Sequence, residues 1–222
     1  AGRAAGEGPV NDERLCIAVD GLQLEGLLQL PEAGAPAPGV VVCHPHPLYG
    51  GDMWNDVVEQ VCRELLARGI AALRFNFRGT GGSEGEHAGG VGERDDVWAA
   101  LDLLRARPEI DRARLGLAGY SFGAGVALNA GPAAGVRALA AISAPPRMVD
   151  FSALQGFEVP LLLMAGDRDE FAPAESLRQL AIALGPRTET TIVAGADHFW
   201  WGHSAELRAG VGGFFARELA GA

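Results

Sequence analysis

Residues 115–128 form an apolar run broken by Gly119-Tyr120-Ser121-Phe122-Gly123 and then continued by small residues, and few backbone paths accommodate that pattern. Arg114 to Gly119 reads as a buried strand, while Phe122 to Ala130 reads as a helix whose small side chains let it pack closely on a sheet. A serine placed between two such elements, with glycine two residues to either side, can occupy a turn too tight for any Cβ at the flanking positions. Its hydroxyl is then lifted clear of the sheet, which makes Ser121 a candidate nucleophile.

The surrounding sequence supplies more of the same alternation. Leu15 to Leu30 reads as two strands joined at Asp20-Gly21, a hairpin turn signal, and Pro31 to Gly39 as a loop. Strands are expected at Val40–Cys43, Ile70–Phe77, Ala138–Ile142, Leu161–Ala165 and Thr190–Ala194. Helices are expected at Trp54–Arg68, where Val57, Val58, Val61, Leu65 and Leu66 make an apolar stripe, and at Asp95–Arg107, ended by Pro108. Two more are expected at Pro173–Leu184 and Ala205–Leu219. Repeated strand–helix units need crossovers, so the fold class is α/β. It should have a mostly parallel sheet of about eight strands, an N-terminal antiparallel hairpin and helices on both faces. No repeat or linker divides the chain, which is read as one domain over 1–222 with residues 1–13 expected to be flexible.

Composition removes several chemistries. All 18 basic residues are arginine, so Schiff-base catalysis, a Ser-Lys dyad and a lysine-bearing phosphate loop are excluded. A net charge of −10 disfavours nucleic acid as a partner. No stretch approaches the length of a membrane span, and the first ten residues lack the apolar core of a secretion signal. Cys16, Cys43 and Cys62 lack metal or redox spacing, and reduced, mostly buried thiols in a cytoplasmic protein are expected.

In a parallel sheet, reactive groups gather beyond the carboxyl ends of the strands. After the strand ending near Ala165 comes Gly166-Asp-Arg-Asp169-Glu-Phe-Ala-Pro173, and after the last strand comes Gly195-Ala-Asp-His198. With Ser121 these give the chain order Ser, Asp, His. Neutral imidazole is a suitable base for a serine hydroxyl near neutral pH, and a carboxylate fixes the imidazole tautomer.

From about Leu15 to Leu219 the chain therefore resembles an α/β-hydrolase. The superfamily's Gly-x-x-Asp followed four residues later by Pro fits Gly166, Asp169 and Pro173, which selects Asp169 over Asp167. His198, directly after the last strand, is chosen over His203, which begins a helix; His87, in a glycine-rich loop, is read as solvated. Three segments resemble a small bacterial branch related to the dienelactone hydrolases: His44-Pro-His-Pro-Leu-Tyr-Gly-Gly51, Phe75 to Gly85 and Gly92 to Asp96. Those enzymes use cysteine at the elbow, where this chain has Ser121.

Oxyanion-hole donors are usually the amide after the nucleophile, here Phe122, and one from the loop after the third strand. Pro45 and Pro47 cannot donate, so the amides available past His44 belong to His46 and then Leu48, and His46 is chosen. His44-x-His46 lacks the further ligands of a zinc site, so no metal or other cofactor is expected and His44 is read as structural. Asp169 lies only 48 positions after Ser121, which leaves no room for a cap domain. Tyr49, Trp54, Phe171, Trp200 and Trp201 are the candidate pocket residues.

The expected activity is hydrolysis of a small soluble ester through a Ser121-His198-Asp169 acyl-enzyme. The alternatives are thioesterase, acyltransferase or small-peptide hydrolase activity, or a non-catalytic ligand receptor. The expected partner is the small-molecule ester, with no nucleic acid or membrane, in a monomer or homodimer.

Overall fold

In the computed structural model, which describes residues 11–32, 36–150, 152, 154 and 157–220, the chain opens on a hairpin. Strands β1 (Asn11–Val19) and β2 (Leu22–Leu30) pair along their whole length through Asp20 and Gly21, whose φ values of 51° and 81° suit a tight two-residue turn. Residues 11–13 are therefore strand, where the sequence suggested a flexible start, and residues 1–10 lie outside the described part. The hairpin register recruits these polar residues even though they carry no apolar signal.

Six further strands follow: β3 (Ala37–Cys43), β4 (Ala71–Phe75), β5 (Ile110–Tyr120), β6 (Ala138–Ile142), β7 (Leu161–Gly166) and β8 (Thr188–Val193). They form one eight-stranded sheet in the order β1-β2-β4-β3-β5-β6-β7-β8. Pairing is antiparallel at β1/β2 and β2/β4 and parallel from β4 to β8. The helices are α1 (Asp56–Ala67), α2 (Gly92–Ala106), α3 (Phe122–Ala134), α4 (Ala174–Leu184) and α5 (Ser204–Glu218).

Alternation along the buried strands assigns the layers. Val41, Cys43, Leu73, Leu117 and Leu163 face α2, α3 and α4, packing with Leu101, Leu104, Leu128, Leu177 and Leu180. Val40, Val42, Ala72, Ala118 and Met164 point the other way, onto Val58, Val61 and Leu65 of α1 and Val211, Phe214 and Phe215 of α5. Both faces are thus sealed, and the loops at the carboxyl ends of β3, β5, β6, β7 and β8 are left free for chemistry. Cys43 and Cys62 are buried and Cys16 is exposed, all three as free thiols. Among the described residues no helix is long and apolar enough to cross a membrane.

Candidate active site

Strand β5 is central, and its last residue leads directly into the elbow. Ser121 has φ 54° and ψ −116°, a backbone conformation costing a non-glycine residue about 1–3 kcal/mol. The turn is closed by the Ser121 amide on the Ile142 carbonyl at 2.9 Å and by the Ala124 amide on the Ser121 carbonyl at 3.0 Å. Both flanking glycines are sterically required. A Cβ at Gly119 would lie 2.2 Å from the Gly123 carbonyl oxygen, and one at Gly123 would lie 2.5 Å from the carbonyl oxygens of Cys43 and His44. The same close approach sets the end of β3 against the start of α3.

His198, in the loop after β8, meets this serine. Its Nε2 lies 3.0 Å from Ser121 Oγ, and its Nδ1 lies 2.9 and 3.0 Å from the two carboxylate oxygens of Asp169. A nitrogen facing a carboxylate carries the proton, so Nδ1–H donates to Asp169 and the Nε2 lone pair faces the serine hydroxyl. Asp169, in the loop after β7, is buried; its Oδ1 also accepts from the amides of Phe171 at 3.0 Å and Ala172 at 2.8 Å. Burial would raise its pKa, but hydrogen bonds from His198, Ser143 and Ala172 outweigh that and hold it below the usual carboxylate value.

Neighbouring strands hold the imidazole in place. Tyr120 Oη donates to the His198 carbonyl at 2.8 Å, and Trp200 Nε1 donates to Ser143 Oγ at 3.1 Å. Asp167 takes no part in this cluster: its Oδ1 accepts from the Gly195 amide at 2.7 Å and ties the β7 loop to the β8 loop. His203 sits at the N-terminus of α5, with Nδ1 3.7 Å from Glu206.

Between Pro45 and Gly51 the loop after β3 leaves one amide uncommitted, that of His46. Leu48 N–H donates to His46 Nδ1, Tyr49 and Gly51 N–H both donate to the His46 carbonyl, and Gly50 N–H donates to the Pro47 carbonyl. Among the described residues no group accepts from the amides of His46 or Phe122. Phe122 opens α3, so the partial positive charge of the helix end adds to its donor. His44 has both ring nitrogens occupied: Nδ1 donates to the Pro45 carbonyl at 2.7 Å and Nε2 accepts from the Phe77 amide at 3.0 Å. Burial pushes its pKa down to about 4, and neither nitrogen is free for a metal.

The aromatic candidates separate. Phe171 is half-exposed with its ring 4.7 Å from that of His198, and Tyr49 is exposed with its ring 4.9 Å from that of His46. Trp201 is also exposed. Trp200, expected in the pocket, is instead buried in the α1/α5 core, because its φ of 62° turns the side chain inward. Trp54 stacks under the guanidinium of Arg74 at 4.7 Å and near that of Arg14 at 5.6 Å. The sequence reading missed Phe199, an exposed ring 5.6 Å from His198 and nearly perpendicular to it. It also missed Ser143 and Tyr120; three consecutive aromatics in a loop carry no periodicity that would say which faces inward. His87, expected to be solvated, is half-buried, with Nδ1 2.9 Å from Oε1 of the fully buried Glu93.

The family model of the X-Pro dipeptidyl-peptidases (S15 family) matches residues 20–157. RP471 of Rickettsia prowazekii, an uncharacterized protein, is 37% identical over 173 residues, covering 74% of this chain and 72% of that one. XC6422 of Xanthomonas campestris, described as an α/β serine hydrolase without a lid, superposes with a TM-score of 0.86 at 32% identity, covering 97% of this chain and 98% of that one. An α/β serine hydrolase homologue from Coxiella burnetii gives a TM-score of 0.83 at 32% identity, over 97% of this chain and 100% of that one.

Proposed function

The chain belongs to the S15 family of X-Pro dipeptidyl-peptidases, within the α/β-hydrolase superfamily, and from that premise we propose that it is a serine hydrolase of the carboxylesterase type acting on small esters. The observation that carries this reading is the unbroken line from Ser121 Oγ to His198 Nε2, through the imidazole, to the buried Asp169 carboxylate. His198 takes the hydroxyl proton as Ser121 Oγ bonds to the ester carbonyl carbon, and the carbonyl oxygen becomes an oxyanion received by the amides of Phe122 and His46. Collapse breaks the ester C–O bond; His198 returns its proton to the departing alkoxide, leaving an acyl-serine. Water, deprotonated by His198 in the same way, then releases the acid.

A substrate with an apolar group is supported by the side chains around His198. Phe171 and Phe199 flank His198, with Leu48 and Tyr49 exposed on the loop of His46, so an apolar acyl or alcohol group has surfaces to rest on. The family match favours a second reading, removal of an Xaa-Pro dipeptide by the same three residues. Both readings require Ser121 to react with a fluorophosphonate, and Ser121→Ala to lose labelling and nearly all hydrolysis while keeping its circular dichroism. Turnover of p-nitrophenyl acetate and butyrate without turnover of Gly-Pro-p-nitroanilide selects the ester reading, and the opposite pattern selects the peptidase. Labelling that persists in Ser121→Ala removes both.

A further inference from the structure

A second carboxylate–imidazole pair lies beside the first and takes no part in the mechanism just described. Glu93, in the first turn of α2, is fully buried, and its two carboxylate oxygens accept from the amides of Ala88 at 2.8 Å and Gly90 at 2.7 Å. The backbone folds back onto it through Gly89 and Gly90, at φ 66° and 94°. His87 completes the arrangement: Nδ1 is 2.9 Å from Glu93 Oε1, a close contact that falls short of a hydrogen bond. Burying a carboxylate costs several kcal/mol unless donors surround it, so this loop is built to keep one there.

What the pair holds is the ring of His46. The His87 and His46 ring centroids are 5.0 Å apart, and each packs on Phe122, at 5.3 and 4.8 Å. On its other side the His46 ring meets Tyr49, and its Nδ1 accepts from the Leu48 amide at 3.3 Å. The three rings, tilted against one another, thus join His46 and Phe122, whose amides are uncommitted. Pro45 and Pro47 stiffen the chain on either side of His46, but proline cannot set where its amide points.

We infer that Glu93 and His87 are positioning residues of the oxyanion hole: the buried carboxylate fixes the His87 ring, and that ring wedges His46 against Phe122 so that both amides converge on the same oxygen. The inference rests on the serine-hydrolase reading above and adds to it a requirement outside the three reacting residues. Because the pair acts on a group used mainly in the transition state, its loss lowers kcat and leaves ground-state binding nearly alone.

The test compares wild type, His87→Ala and His87→Phe with p-nitrophenyl acetate, and measures inhibition by phenylboronic acid, whose serine adduct is tetrahedral. His87→Ala is expected to lower kcat about tenfold, to leave KM within about twofold, and to weaken boronate inhibition by a similar factor. His87→Phe, which keeps a ring against His46 and Phe122, should recover at least about a third of wild-type kcat. Should His87→Ala fail to fold, His87→Gln gives the same readout, since it removes the ring but keeps a polar side chain beside Glu93. A kcat unchanged in these variants overturns the inference, as does a rise in KM alone or a His87→Phe no better than His87→Ala. A wild type that neither hydrolyses esters nor takes a fluorophosphonate removes the parent reading and this one with it, whereas an active wild type with unaffected variants removes this one alone.

Discussion

Replacing Asp169 by Asn changes one atom and should cost almost all activity, for a reason that follows from which oxygen is used. Asp169 Oδ1 accepts from the amides of Phe171 and Ala172 and lies 2.9 Å from His198 Nδ1, whereas Oδ2 faces His198 Nδ1 at 3.0 Å. In the Asn variant the side-chain oxygen must stay at the Oδ1 position, because an NH2 group there would face two buried amide hydrogens. Leaving those two donors unpaired would cost about 1–3 kcal/mol each, so the alternative flip is populated at only a few per cent at most. The NH2 group then takes the Oδ2 position, 3.0 Å from His198 Nδ1, where its hydrogens oppose an Nδ1–H and favour the tautomer in which Nδ1 accepts. The imidazole proton moves to Nε2, 3.0 Å from Ser121 Oγ, and the base can no longer accept the serine proton.

A wrong tautomer of this kind lowers kcat by about four orders of magnitude. Asp167→Asn is the internal control: only the Gly195 amide reaches its Oδ1, at 2.7 Å, and an Asn oxygen can accept that bond as well. The assay is kcat for p-nitrophenyl acetate on both variants and wild type, with thermal unfolding to show that each is folded. A folded Asp169→Asn that keeps more than about a tenth of wild-type kcat would refute the tautomer argument, and so would an Asp167→Asn as damaging as Asp169→Asn.

Gly123→Ala should not be tolerated, since its Cβ would lie 2.5 Å from two backbone oxygens at the end of β3; a loss of about 3 kcal/mol or more in denaturant unfolding, or insoluble protein, is expected. His46→Pro, which removes the amide hydrogen, should lose about a hundredfold or more in kcat, while His46→Ala, which keeps it, should retain measurable hydrolysis; equal losses in the two would mean that the amide is not the donor. His44 titrates at about 4 in the fold against 6.5 as its ordinary value, so the unfolded chain binds the proton more readily. Its contribution is complete above about pH 6.5 and is lost as pH falls toward 4, by about 3 kcal/mol, and denaturant midpoints measured across that window should fall in wild type and flatten in His44→Gln.

The layered fold was legible because burial on both faces leaves a simple record. Val40, Val41 and Val42 are all apolar, which only a strand covered on each side requires, and Asp20-Gly21 names its turn outright. Strand ends were less legible where pairing outruns burial: β5 begins at Ile110 rather than Arg114, its exposed residues 112 and 113 carrying no apolar signal. Ser121, Asp169 and His198 could be nominated because each follows a readable strand. Glu93 and His87 could not, since their contact depends on positive φ at Gly89 and Gly90, and a glycine-rich loop reads the same whether it is solvated or folded onto a buried charge. Trp200 was misplaced for a related reason: one left-handed residue in the run Phe199-Trp200-Trp201 reverses which ring faces inward.

The site divides into a part fixed by backbone and a part left to side chains. Arg168 N–H donates to the Ala196 carbonyl at 3.0 Å and Asp167 N–H to the Val193 carbonyl at 3.0 Å, while a Cβ at Gly166 would collide with Ala196 O at 2.0 Å. The loops bearing Asp169 and His198 are thus one fused unit, tied through Tyr120 to β5 and through Trp200 and Ser143 to the end of β6. Ser121 and the amide of Phe122 are fixed by the elbow itself. The loop of His46 is tied to the segment after β4 at its two ends, through His44 Nε2 to the Phe77 amide and through the Met53 amide to Asn76 Oδ1, and at His46 itself the fold uses rings and a buried carboxylate. Preorganised donors contribute to rate only if they do not have to move as charge develops, so a donor held by side chains is where a bracing device has the most effect.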